Sequence, residues 1–365
     1  MKKIFFIVLI FISINNFGNA DILSLFDKSC MEGNCRNGDG KKQLEHDIYG
    51  KGIYEGQFKD KKPHGFGKIT YELGDYYEGQ FRSGIIEGLG SFYFYNGDKY
   101  VGSFINDKFS GKGTYTFKDG SEYIGEHKMD QPNGKGIWTF PDGNTYNGEV
   151  KDGLFHGEGT YNYSNGSKYV GEFVSNKREG SGSYINDIGE KYVGEFKNDE
   201  FNGQGTYTSP DGRKYTGKFK NSLFDGQGIY EESDIKYEGE FKEGKYSGNG
   251  TLVSSEIIYD GEFKNNNING QGKIKYLSDN SSYEGSFKNG LEDGMGTYIN
   301  DSGDKYVGEF KNGMFNGQGT YTWKEGSIFV GNFIDGVRDG YGTATYSDGI
   351  IEKGIWKKDE LVEAK

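Results

Sequence analysis

Residues 192–214 read YVGEFKNDEFNGQGTYTSPDGRK, and the rest of the chain copies them. Tyr192, Gly194 and Phe196 come first, Gly203, Gly205 and Tyr207 follow, and Asp211-Gly212 closes the unit. Stepping back by 23 residues from Tyr192 meets Tyr169, Tyr146, Tyr123, Tyr100, Tyr77 and Tyr54. Forwards, Tyr215, Tyr237, Tyr259, Tyr283, Tyr306 and Phe329 follow at steps of 22 to 24. KYVGEFKN stands at 191–198 and again at 305–312, and FNGQGTYT at 201–208 and again at 315–322. Both pairs lie 114 residues apart, so they share one register. A fixed period of this length marks an array of one supersecondary unit, each copy touching mainly its neighbours.

Each unit contains two strands. Side chains alternate faces along a strand. Tyr192, Gly194 and Phe196 therefore share one face, and Val193 and Glu195 the other. In 111–117, Gly111, Gly113, Tyr115 and Phe117 lie opposite Lys112, Thr114 and Thr116. One face is aromatic plus glycine and the other is polar, the pattern of a half-buried antiparallel sheet. Glycine weakens a strand interior, so its recurrence in register predicts a neighbouring ring lying over the Cα. Glu195, on the polar face, is expected to tolerate substitution. Phe109, Phe155, Phe201, Phe224 and Phe315 plug the first connection of the unit. The second connection carries Asn96-Gly97, Asp119-Gly120, Asp142-Gly143, Asn165-Gly166, Asp211-Gly212 and Asp348-Gly349. These pairs are expected to supply the positive φ angles of tight hairpin turns.

The order Y-x-G-x-F, G-x-G-x-x, D-G resembles the membrane occupation and recognition nexus (MORN) repeat. The resemblance runs from about Tyr54 to Trp356, through thirteen copies and a half copy. It implies an all-β protein, an elongated single-layer antiparallel sheet of tandem hairpins with a long groove. It also implies a non-catalytic role as a spacer or assembly platform.

Hydrophobic residues make up 33% of the chain, too few for a thick aliphatic core, while 16% are aromatic and 62 residues are glycine. Rings stacked over glycines in a thin layer suit that composition. The formal net charge of −12 disfavours phosphate backbones and anionic headgroups. Partners are therefore expected among proteins, or in a second copy, with neither nucleic acid nor direct lipid binding.

Residues 1–20 have the form of a secretory signal. Lys2-Lys3 precedes an apolar run from Ile4 to Ile14, and Gly18-Asn19-Ala20 offers small residues for cleavage. Export to a periplasm or the exterior, with processing near Ala20, is the expectation. Residues 21–53 form an N-terminal cap. Its apolar cluster of Ile22, Leu23, Leu25 and Phe26 would cover the first sheet edge, and its Gly38-Asp39-Gly40 mimics the Gly-x-Gly element. The array occupies 54–356, and 357–365 form a charged C-terminal cap. Cys30 and Cys35 are the only cysteines. In an exported chain an intramolecular disulfide is the favoured state, with free thiols or an intermolecular bond as alternatives.

No catalytic, metal or cofactor constellation emerges. His64 and His156 occupy the polar position before Gly-x-Gly, which elsewhere holds Asn133, Asn202 and Asn316. His127 takes the slot of Phe104 and Phe173. The Gly-x-Gly elements lack the lysine and the strand-to-helix context of a phosphate loop. The leading expectation is an exported binding scaffold whose aromatic–glycine face, at Tyr192, Phe196, Tyr207 and Tyr306, meets a protein. A membrane-associated module or an accessory of an enzyme is the alternative. Residues 229–282 break the pattern, losing the Asp-Gly turn at 231–234 and gaining aliphatics, through drift in a tolerant loop or through a bend or partner contact.

Overall fold

In the computed structural model, residues 30–46 and 50–365 are described. The signal segment 1–20 and the apolar cluster of 22–26 lie outside the described residues. Thirty β-strands and no helix occur among the described residues, all in one antiparallel sheet. The chain divides into two compact units. The first runs to Asp187 and includes Lys197–Asp199; the second comprises Ile188–Phe196 and Glu200–Lys365.

In the second unit, strand Glu200–Thr208 pairs with Lys214–Lys220, which pairs in turn with Leu223–Glu232. Tyr207 stands opposite Tyr215, and Gly205 opposite Gly217. Across the next ladder Tyr215 faces Tyr230 and Gly217 faces Gly228. Beyond that glycine pair the register slips before Phe219 meets Phe224. The slip is a β-bulge, and Gly203 and Gly226 sit at such bulges with φ of +61° and +105°. The two glycines of Gly-x-Gly thus have different tasks. The first allows the bulge, and the second seats a ring. A Cβ on Gly205 would lie 2.5 Å from Tyr192 Cε2, and one on Gly194 would lie 2.5 Å from the Gly205 Cα. No side chain fits between ring and strand there.

The ring so seated is the centre of each repeat. Tyr215 is fully buried and donates its hydroxyl hydrogen to the Lys218 carbonyl at 2.8 Å. Phe224 stacks on it at 3.8 Å between centroids. Phe219 and Phe241 of the following repeat meet it edge-on at 5.0 and 4.9 Å. The first unit repeats the arrangement at Tyr100 with Phe109, Phe104 and His127. Such edge and stacked contacts each add about 0.5–1.5 kcal/mol beyond area burial.

The turns are distributed otherwise than the Asp-Gly pairs suggest. The two-residue turns with both central φ positive lie at the plugged connection, for example Asn106-Asp107 at +47° and +67° and Asn221-Ser222 at +50° and +62°. Asn, Asp and Ser reach that region without glycine because their short side chains bond local backbone. These turns also clamp the preceding repeat. Ser222 N–H donates to the Phe201 carbonyl at 2.9 Å, and Phe201 N–H donates to Ser222 Oγ at 3.1 Å. The Asp-Gly connection is a longer loop with positive φ only at glycine. Ser209 N–H reaches the Arg213 carbonyl, Gly212 N–H reaches the Ser209 carbonyl, and Asp211 accepts from Arg213 N–H. Where residues 231–234 lack the pair, Glu232 stands opposite Ile235 and Ser233-Asp234 alone make the turn. The local period shortens, and the ring register survives with Tyr237 and Tyr259 fully buried.

Both ends extend the ladder. Gly38–His46 pairs with Gly50–Lys59, Gly40 facing Gly56 as Gly205 faces Gly217. Cys30 and Cys35 are joined by a disulfide. At the other end Glu360–Ala364, expected only as a charged cap, forms a further strand against Ile351–Lys357.

Glu195 requires a correction. Its side chain is exposed as the alternation predicts, yet its carboxylate accepts the Gln204 N–H at 2.9 Å and closes the bulge at Gly203. The same bond recurs from Gln57, Gln80, Glu172 and Glu262. Chemical denaturation should show Gly205→Val losing about 1–3 kcal/mol by overpacking. Glu195→Val should lose about 1 kcal/mol, with Glu195→Gln close to wild type. A neutral Glu195→Val would remove the bulge bond from the account.

A candidate interaction surface on the second unit

The ring positions expected to form a binding face divide into two rows. Tyr192, Phe196 and Tyr306 belong to the first row and are 1%, 3% and 0% exposed, so they are core residues and not a contact surface. The cause is the glycine seat: Tyr192 lies over Gly194 and Gly205 with Phe201 stacked on its outer side at 3.9 Å. The rings themselves form the second layer that a bare sheet lacks. Tyr207 belongs to a second row, on the partner strand. It is half-buried, and its hydroxyl donates to Glu190 Oε1 at 2.6 Å.

The second row is covered at some repeats and open at others in both units, Tyr161 and Tyr184 of the first being half-exposed and Ile274 of the second buried, and the residue two places further along contributes. In the first unit, Phe92, Tyr115 and Trp138 are followed by Phe94, Phe117 and Phe140. Phe94 packs on Phe92 at 4.6 Å, Phe117 packs on both Tyr115 and Trp138, and Phe140 lies parallel to Trp138. These third rings cover those three positions, and Phe92, Tyr115 and Trp138 are buried. In the second unit, Tyr207, Tyr230, Leu252 and Tyr298 are followed by Ser209, Glu232, Ser254 and Asn300. No ring folds back from those positions, and all four second-row residues are half-exposed.

Carboxylates stand beside the phenols of this face, as Asp98 does in the first unit, where it accepts from the Tyr115 hydroxyl at 3.0 Å. Tyr230 donates to Glu232 Oε2 at 2.8 Å, and Tyr321 donates to Asp304 Oδ2 at 3.2 Å. Tyr276 is hydrogen-bonded to Glu292. Tyr246, a plug residue, stacks on the buried Tyr237 at 3.8 Å and stands 6.4 Å from Tyr230. Burial, then the nearby Glu232 carboxylate, raises the Tyr246 hydroxyl to about 12. Burial, then Asp304, does the same for Tyr321. The phenols stay neutral donors. Sequence reading singled out Tyr207 and missed Tyr230, Tyr246 and Glu232. The available signal was the absence of a ring at Ser209, Glu232, Ser254 and Asn300, two places after the second-row residue.

Among the described residues no group of three or more His, Cys, Asp or Glu side chains is placed to hold a metal. His127 is a ring of the core, 4.9 Å from Tyr100 and 5.1 Å from Tyr123, with Nδ1 3.2 Å from the Gly125 carbonyl and no partner for Nε2.

The MORN repeat model matches thirteen consecutive segments between residues 54 and 351. The chain belongs to the MORN-repeat family. No curated protein matches it. Among solved structures it is similar to the SAS-4 (dCPAP) TCP domain of Drosophila melanogaster in complex with a proline-rich motif of Ana2. That match is at 14% identity over 48% of this chain and 86% of that one, with a TM-score of 0.26. The TCP10 domain of Danio rerio CPAP, in complex with a STIL peptide, matches at 13% identity over 73% and 93%, with a TM-score of 0.18. Virginiamycin B lyase of Staphylococcus aureus matches at 12% over 70% and 88%, with a TM-score of 0.13. At these TM-scores the likenesses carry no functional argument.

Burial pushes the His127 imidazole down to about 4 from its ordinary 6.5. The fold holds it neutral, so the unfolded chain binds the extra proton between those values. Its contribution to stability is therefore complete above pH 6.5 and is lost as the pH falls toward 4. His127→Phe, which installs the ring found at Phe104, should gain about 2 kcal/mol over wild type at pH 5 and little at pH 8. Denaturation at the two pH values checks this; an equal gain at both would make the effect one of packing alone.

Proposed function

We propose that this chain is a non-catalytic, exported scaffold that binds a protein along the half-exposed second row of its second unit. The observation that supports this most is the unsealed ring row itself. In the first unit Phe92, Tyr115 and Trp138 are buried beneath third rings, whereas Tyr207, Tyr230, Leu252 and Tyr298 of the second have no third ring and are half-exposed. Half-exposed tyrosines backed by a rigid core are the side chains that anchor protein interfaces at low entropic cost. The irregular stretch 229–282 contains the middle of this window, which favours contact over drift as its cause. Export is supported by the charged and apolar start of the chain and by the Cys30–Cys35 disulfide, a bond that persists in oxidising compartments.

A photo-crosslinking residue placed at Tyr230 or Tyr298 should capture a discrete protein, or a second copy, in the native compartment. The same residue at Val193 or Val307, exposed on the opposite face, should not. Crosslinks confined to Val193 and Val307 would move recognition to that other face. Intact mass of the native protein should begin at Asp21, and a cytoplasmic species retaining Met1 would end the export reading.

A further inference from the structure

Two arginines show how this face accommodates a cation. Arg178, in the first unit, stands at the plug position that Phe201, Phe224 and Phe315 occupy elsewhere. Its guanidinium lies 5.6 Å from the Tyr169 ring and 5.3 Å from the Tyr184 ring, and its Nε reaches Asp199 Oδ1 at 3.4 Å. Arg338, in the second unit, repeats the solution. It lies 4.4 Å from Trp356 and 5.4 Å from Phe329, donates Nε to Asp359 Oδ1 at 3.1 Å, and donates Nη2 to the Asp359 carbonyl at 2.7 Å. In both places a guanidinium rests on rings and is held by a carboxylate.

The window presents the same set with an uncharged plug. Tyr230 and Tyr246 stand 6.4 Å apart at 60°, with Glu232 beside them. Glu232 accepts from Tyr230 and forms no ion pair among the described residues. One repeat away, Tyr207 carries Glu190. Second-row positions recur every two strands, on the order of 10 Å. Three residues of an extended chain span roughly the same length. The overall charge of −12 adds long-range attraction for a cation and repels polyanions.

We propose that the window from Tyr207 to Tyr246 binds an extended segment of a partner protein carrying arginines three residues apart. One guanidinium lies over Tyr230 and Tyr246 against Glu232, and the next lies over Tyr207 against Glu190. This rests on the reading of the window as the recognition surface, and adds the chemistry of what it recognises.

The test is fluorescence anisotropy with the full chain and a labelled peptide of tandem Arg-Ser-Gly triplets. Comparison peptides carry Gln in place of Arg, or the same arginines gathered at one end. Tandem Arg-Ser-Gly should bind about tenfold more tightly than the Gln peptide, and more tightly than the gathered form. Glu232→Lys should weaken binding by about tenfold. Glu238→Lys makes the same charge change on the opposite face and should leave binding unchanged. Tyr246→Leu should also weaken it, with circular dichroism confirming the sheet in every variant.

Equal loss in Glu232→Lys and Glu238→Lys would reduce the effect to diffuse charge and overturn the proposal. So would equal binding of the Arg and Gln peptides, or no binding below about 1 mM. If the crosslinks from Tyr230 and Tyr298 stand while these peptides fail, the recognition surface survives and its preference for arginine does not. If those crosslinks fail as well, both readings fall.

Discussion

A tyrosine ring lying flat over a pair of facing glycines is the contact on which every other feature of this protein depends. Tyr192 covers Gly194 and Gly205 so closely that no side chain fits beneath it. That closeness makes a single sheet self-sufficient. The strand pair supplies the floor, the tyrosine and its stacked plug supply the roof, and the edge-on phenylalanine of the next repeat joins one cell to another. The phenol is not stranded by its burial, because its hydroxyl reaches a backbone carbonyl three residues on, as from Tyr306 to Glu309 at 3.0 Å. Where Phe329 replaces the tyrosine, that bond is absent and the ring keeps its place over Gly342. Ring burial is therefore the governing requirement, and the hydrogen bond an accommodation of the phenol.

The period, the two-strand unit and the aromatic–glycine face were all legible in the sequence, because each is a pattern of residue types along one strand. The rest lay in relations between strands. Strand alternation places Tyr192 and Tyr207 on the same face equally well, and cannot tell that one lies under a plug and the other outside it. It assigns one task to both glycines of Gly-x-Gly, although a bulge separates Gly203 from Gly205. It puts Glu195 in solvent, correctly, without revealing the amide at the bulge that its carboxylate reaches across the ladder. The Asp-Gly pairs drew attention as turn formers, yet the tighter turns use Asn106-Asp107 and Asn221-Ser222, whose ability to adopt positive φ is less conspicuous than glycine's.

One residue per repeat contributes to the division between sealed and open rings. Phe94, Phe117 and Phe140 fold back on their second-row neighbours. Ser209, Glu232, Ser254 and Asn300 have no ring with which to do so. The first-row tyrosines and their glycine pairs keep their places through these repeats, Tyr215, Tyr237, Tyr259 and Tyr283 all being fully buried. A repeat fold can in this way carry an apolar strip in one region and cover it in another, without altering the sheet that supports both.

The repeats of this one chain also act as a set of comparable experiments. The first-row position holds tyrosine at every step from Tyr54 to Tyr306 and phenylalanine at Phe329, because the glycine seat admits a flat ring and little else. The second-row position holds Ile69, Phe92, Tyr115, Trp138, Leu252, Ile274, Tyr298 and Ala344 among others. A position that accepts alanine and tryptophan within the same register contributes little to the shape of the cell. Stability resides in the first row, and the second is free to vary. A surface that can change without disturbing the core beneath it is the part of such a sheet that selection can shape for a partner. That separation is the physical ground for the proposal that recognition uses Tyr207 and Tyr230 and not Tyr192 and Tyr306.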